Sequence, residues 1–307
     1  MKHMNLNTNK IRKILWTIIR TILIIGISYI ILFTFLSKLS SAIMAEQDLY
    51  DRTVKWIPRH FTLENIRFVW ETMNYPIAFF NSLKVSLGVS ILQLISSTLI
   101  GYGLARYKFK GRGILFALVI FMLLVPPQVI MIPMYLNFRF FNIFGLIPGE
   151  GLNLLNSFWP FFFLSITGTG LRSGLFIYIM RQYFRGMPRA LEEAAYVDGA
   201  GQLRTFIYVM LPGTVPVLVI VFLFSFVWQW NDDYLVNIFM KNKNLLATNL
   251  SNLIILVTGG TQSEISGQYM SMLQNTGSLL FMAPLLVLYA FMQRHFIESV
   301  ERTGLVG

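Results

Sequence analysis

The sequence predicts an all-α polytopic membrane protein with six transmembrane helices and both termini in the cytoplasm. Three observations predict it. The 307 residues are 55% hydrophobic and only 13% charged, with a mean hydropathy of +0.61, too apolar for a domain solvated by water. Six stretches are apolar and long enough to cross a bilayer core, which takes about 20 residues of helix. Basic residues gather at alternate ends of those stretches, as inner-leaflet anchoring requires. The net charge of +11 therefore reads as topology, and no nucleic-acid partner is expected.

Taken in order, residues 1–13 form a cytoplasmic N-terminal segment with Lys2, Lys10, Arg12 and Lys13, and residues 14–307 form one transmembrane domain. The first span, 14–36, is followed by Ser40, Ser41 and Ala42 in the manner of a secretory signal. Its apolar run exceeds the roughly 7 to 15 residues of a signal core, so a retained anchor is expected. The loop 37–81 balances acids against bases and falls outside. The second span, 82–105, leads into Arg106, Lys108, Lys110 and Arg112 on the inside. In the third, 114–136, Pro126, Pro127 and Pro133 must distort the helix. The fourth, 154–180, contains Gly168-Thr169-Gly170, a helix-breaking pair, and precedes the cytoplasmic cations Arg181, Arg185, Arg189 and Arg204. The fifth and sixth cover 213–230 and 277–296. Residues 245–257 are apolar but too short to span, so a docked or interfacial segment of an external loop is expected.

The same sequence excludes several chemistries. Without cysteine there is no disulfide, thiol nucleophile or thiolate metal site, and His3, His60 and His295 are too scattered to suggest a metal cluster. No Gly-x-x-x-x-Gly-Lys-Ser/Thr run occurs, so no nucleotide-binding site or cofactor is expected in this chain. No span carries the nucleophile, base or metal constellation of an enzyme.

Between spans four and five, residues 185–212 differ from their surroundings. Pro188 suits a first helical turn, Glu192 and Glu193 favour its positive end, and Gly199 supplies a left-handed stop, which predicts a helix from Pro188 to Asp198. Ala190, Ala194 and Ala195 leave little bulk on it, so a partner surface can approach closely. An amphipathic connector with no partner would use the same good helix formers.

Glu193-Ala194-Ala195, Asp198-Gly199-Ala200 and Leu211-Pro212 resemble the EAA loop of permease subunits in binding-protein-dependent ABC importers. Asn81-Ser82-Leu83, Trp228 with Trp230-Asn231-Asp232, and the final Gly304-Leu-Val-Gly307 are similar to the maltose-type, oligosaccharide branch. The loop from Asp233 to Asn275 and the run from Leu245 to Asn249 depart from that pattern. The resemblance implies a type I importer permease fold in the cell membrane of a bacterium or archaeon. It implies a second homologous permease, two ATPase subunits that bind ATP and Mg, an extracytoplasmic solute-binding protein and a sugar substrate. Glu193, Ala194, Ala195, Asp198, Gly199 and Ala200 would then dock on an ATPase subunit, whose closure would rock the pore.

Candidates for the translocation path follow from intramembrane polarity. Arg172, just after the glycine pair, either faces the path from a discontinuous helix or pairs with a carbonyl or acid. Trp228, Trp230, Asn231 and Asp232 combine flat apolar faces with hydrogen-bonding groups, which suits a sugar, although an interfacial aromatic belt uses the same tryptophans with no ligand. Three rival functions remain open: an importer permease for a peptide or polyol, an ion-coupled secondary transporter, and a membrane enzyme. A secondary transporter usually carries paired ionisable residues at mid-membrane.

Overall fold

In a bilayer the backbone must satisfy its own hydrogen bonds, and helices do so within one segment. The computed structural model describes residues 4–54, 56–143, 145–260 and 265–304, with side chains between 10 and 293. Among them all regular structure is helical, and β pairing is confined to isolated bridges, Met44 with Phe61 and Phe141 with Leu152. The final residues 305–307, and the side chains of Lys2, His3 and His295, lie outside the described set.

Among the described residues three single helices are long and apolar enough to span: Lys10–Ala42, Tyr75–Arg106 and Gly267–Gln293. Two bent pairs raise the count to as many as 5 if each is one span. Arg112–Leu124 and Pro127–Arg139 meet at 99°, where Pro126 and Pro127 remove two N–H donors and push Val125 into extended backbone (ψ 114). Gln202–Gly213 and Val215–Trp230 meet at 76°, after a π-helical stretch over Phe206–Met210. The fourth segment is broken at its glycine pair into two helices, Trp159–Ile166 and Ser173–Gly186. The run 245–257 folds as two short helices, Leu246–Ser251 and Leu253–Thr258, with Leu246 and Leu253 fully buried.

The chain divides into two compact units, residues 1–73 with 253–282, and residues 74–252 with 283–307. In the first, Asp48 is buried and organises the loop after the N-terminal helix. It accepts the N–H groups of Arg59 and His60 at 2.8 Å and faces His60 Nδ1 at 2.7 Å. Those hydrogen bonds, the His60 N–H first, hold its carboxyl below the usual range. Asn65 donates to the Met44 carbonyl at 2.7 Å and closes the same turn.

The second unit is built around Tyr75–Arg106. Its buried face carries Ser82, Ser86, Ser90, Gln93, Ser97 and Gly101, spaced by three or four residues and therefore on one stripe. Small residues there let the neighbouring helices approach closely. A Cβ on Gly101 would sit 2.7 Å from the Met180 Cβ, and one on Gly174 would sit 2.9 Å from the Val119 carbonyl oxygen. Phe176, Met180, Phe184, Met210 and Val221 complete the core on this side, all without measurable exposure. Asn81 and Ser82, at the start of the helix, hold the docked loop by bonding the Asn244 carbonyl and the Leu246 N–H.

Gly101→Val is therefore expected to destabilise the purified protein by about 1–3 kcal/mol through overpacking against Met180. Thermal unfolding in detergent measures this, and an unchanged melting temperature would contradict the close crossing.

Candidate coupling and translocation sites

The helix expected over 188–198 runs over Ala190–Val197, shorter at both ends. It stops where expected. Gly199 is left-handed at φ +79, the Ala200 N–H reaches the Ala195 carbonyl at 2.9 Å, and the Gly199 N–H reaches that of Tyr196 at 3.0 Å. This pair of bonds is a Schellman stop, a turn that glycine enters without penalty.

The helix presents two faces. Glu193, Ala194, Asp198 and Gly199 are exposed, Ala200 is half-buried, and Ala195 is buried. Val197 is 87% exposed and Leu203, just beyond, is 70% exposed, so the outward face sets apolar side chains beside the charged Glu193 and Asp198. The inward face holds a residue that sequence reasoning passed over. Glu192 is buried, accepts the Tyr102 hydroxyl at 2.9 Å and pairs with Arg106 at 3.4 Å. Arg106 also donates to the Met187 carbonyl at 2.7 Å, tying the chain just before the helix to the end of Tyr75–Arg106. Tyr102 is wedged between the rings of Phe184 and Phe206, at 5.1 and 4.7 Å between centroids. The signal available was spacing: Tyr102 and Arg106, four residues apart, share one helix face, and Glu192 and Ala195, three apart, share another.

The fourth-segment break lies between Ile166 and Ser173. Gly168 is left-handed at φ +72, and so is Arg172 at φ +60. A non-glycine residue in that conformation costs roughly 1–2 kcal/mol, so its surroundings must hold it there. Arg172 is exposed, and its guanidinium lies 5.4 Å from the centre of the Trp228 ring. Trp228 stacks in turn on Phe176 and Phe224. Among the described residues no carboxylate is paired with Arg172.

The other path candidates do not join this pair. Trp230 is 2% exposed and packs on Phe79 and Phe226. Two residues beyond Trp228, it is turned about 200° around the helix and faces the core instead. Asn231 is exposed but donates back to the Val227 carbonyl at 2.7 Å. Asp232 is buried and accepts the Leu235 N–H at 3.0 Å, which starts the helix Tyr234–Phe239. These three shape the end of the fifth segment, and none of them faces Arg172.

The family model for the inner membrane component of binding-protein-dependent transport systems matches residues 97–302. The chain belongs to that family. The match begins inside Tyr75–Arg106 and takes in the fourth-segment break and the helix Ala190–Val197. The chain is 31% identical over 253 residues to the alpha-glucoside transport system permease protein AglG of Rhizobium meliloti (strain 1021), covering 81% of this chain and 62% of that protein. It is 26% identical over 285 residues to the arabinooligosaccharides transport system permease protein AraQ of Halalkalibacterium halodurans, covering 92% and 93%. Its fold is that of a chain in a bacterial ABC transporter involved in the import of the acidic polysaccharide alginate, with a TM-score of 0.72 at 18% identity over 92% of this chain and 96% of that one. The family's members are membrane components of transport systems.

Within the family member described here, the inward latch and the outward face are separable by mutation. Glu192→Ala strands the buried Arg106 charge and is expected to cost about 3 kcal/mol of stability, whereas exposed Glu193→Ala stays within about 0.5 kcal/mol. Chemical or thermal unfolding of both variants checks the difference, and equal effects would contradict it.

Proposed function

We propose that this chain forms half of the translocation pore of an ATP-driven importer for oligosaccharides, with six spans and both termini in the cytoplasm. The carrying observation is the helix Ala190–Val197, latched inward by Glu192 to the second span and leaving Glu193, Val197 and Asp198 uncovered on its other face. Such a helix transmits force only if something larger grips the exposed side. Two ATPase subunits, which bind the ATP and Mg this chain has no motif for, are the partners that fit, through Glu193, Ala194, Ala195, Asp198, Gly199 and Ala200. A second homologous permease and an extracytoplasmic solute-binding protein complete the assembly, and no nucleic acid takes part.

Sugar as the substrate rests on the names of the relatives, which include alpha-glucoside, arabinooligosaccharide and maltodextrin permeases. The Trp228 ring beside the Arg172 guanidinium is the surface a sugar would meet, an aromatic face next to hydrogen-bond donors. The fourth and fifth segments would carry the motion, since both connect directly to the cytoplasmic helix.

The topology is tested with single cysteines in this cysteine-free sequence. Gln268→Cys is expected to react with an impermeant thiol reagent from outside intact cells and Gly111→Cys only after the membrane is opened. The reverse pattern would invert the topology. Coupling is tested at Gly199, where a Cβ meets nothing within 4 Å, so that a substitution acts through the left-handed backbone and not through a clash within this chain. Gly199→Val is expected to insert normally and to lose uptake, with ATP hydrolysis absent or no longer dependent on the binding protein. Full binding-protein-dependent uptake by this variant would remove the coupling role.

A further inference from the structure

The polar centre of Tyr75–Arg106 is Gln93, 1% exposed and with its side-chain amide fully engaged. Its Nε2 donates to the Leu171 carbonyl at 2.7 Å and to Ser173 Oγ at 3.0 Å. Its Oε1 accepts the Ser225 hydroxyl. One amide thus joins the fourth-segment break to the helix Val215–Trp230, using two donors on one side and an acceptor on the other. A carboxylate lacks the donors and an aliphatic chain lacks both.

The surroundings are fitted to that amide. A Cβ on Gly170 would stand 3.0 Å from Gln93 Nε2, so the glycine leaves room for it. Three residues on, Ser96 donates to the Ser165 carbonyl at 2.7 Å and satisfies the backbone on the other side of the break. Leu171 and Ser173 are the two neighbours of Arg172, whose left-handed conformation is thereby held from both sides. Ser225 is three residues before Trp228 and shares its helix face.

We propose that Gln93 is a positioning residue of the translocation path. Its amide fixes Arg172 over Trp228 and makes the fourth-segment break and the fifth-segment helix move as one piece when the pore opens. This rests on the permease reading above. Any rearrangement that slides the break along the fifth helix must first undo the Gln93 contacts, so motion is directed to the segment ends and away from the break.

The test uses the full importer in proteoliposomes, with its ATPase subunits and binding protein, and the chain in a Thr169→Cys background. Thr169 lies exposed within the break. Gln93→Leu is expected to raise the KM for maltodextrin or another transported oligosaccharide about tenfold, the scale of one or two lost buried hydrogen bonds, with a smaller change in kcat. It is also expected to speed thiol labelling of Thr169→Cys. Ser225→Ala, which removes only the tie to the fifth segment and is far less disruptive, should move both readouts in the same direction. Unchanged KM and labelling rate in both variants would overturn the proposal. So would a Gln93→Leu chain that fails to assemble alongside a Ser225→Ala chain indistinguishable from the parent, because that pattern marks a purely structural residue. If the parent importer shows no binding-protein-dependent uptake at all, the permease reading itself falls, and the role of Gln93 in a path falls with it.

Discussion

Hydrogen bonding of an interrupted backbone is the constraint on which the second unit depends. An unsatisfied peptide group in hydrocarbon costs several kcal/mol, so a helix can break at membrane depth only where protein supplies partners. Here the partners come from one neighbouring helix: Gln93 bonds the Leu171 carbonyl and Ser96 bonds the Ser165 carbonyl. The serine-rich stripe that provides them also keeps that helix thin enough for close packing, as the Gly101 crossing shows. Polar satisfaction and tight packing are thus achieved by the same residues.

That arrangement gives the second segment two duties. At mid-height it secures the break that turns Arg172 toward Trp228. At its C-terminal end it carries Tyr102 and Arg106, which hold Glu192 and so fix the short helix Ala190–Val197. Both duties lie on one continuous helix, Tyr75–Arg106. The helix Ala190–Val197 is thereby tied to the same element that organises the break. A buried ion pair is poor evidence of stability in itself, because desolvation opposes it, but it fixes geometry wherever breaking it would strand a charge.

Much of this was legible in the sequence, wherever a residue's local chemistry decides its conformation. Gly168 and Gly170 marked the break, Pro126 and Pro127 the sharp bend, and Gly199 the left-handed stop, because glycine and proline act through the backbone alone. The docked character of 245–257 followed from its length. What stayed illegible depends on which way a helix faces in the folded chain. Glu192 and Glu193 are adjacent and chemically identical, and only packing against Tyr102 and Arg106 makes one a latch and the other a surface group. Trp228 and Trp230 differ in the same way, one beside Arg172 and the other in the core. Gln93 gave no signal, since a single glutamine in an apolar span acquires meaning only from the broken backbone beside it. Apolar length alone could not reveal that the third and fourth predicted spans are each two helices.

The proposed role converts ATP hydrolysed by a partner, through this chain, into movement of solute. Uptake into proteoliposomes that contain the importer purified from its native membrane, supplied with its solute-binding protein, decides it. Such a role requires uptake that depends on enclosed ATP, copurification of an ATPase subunit, and indifference to collapse of ion gradients. Uptake by the chain without an ATPase, driven by a proton or sodium gradient and abolished when that gradient is collapsed, would contradict it.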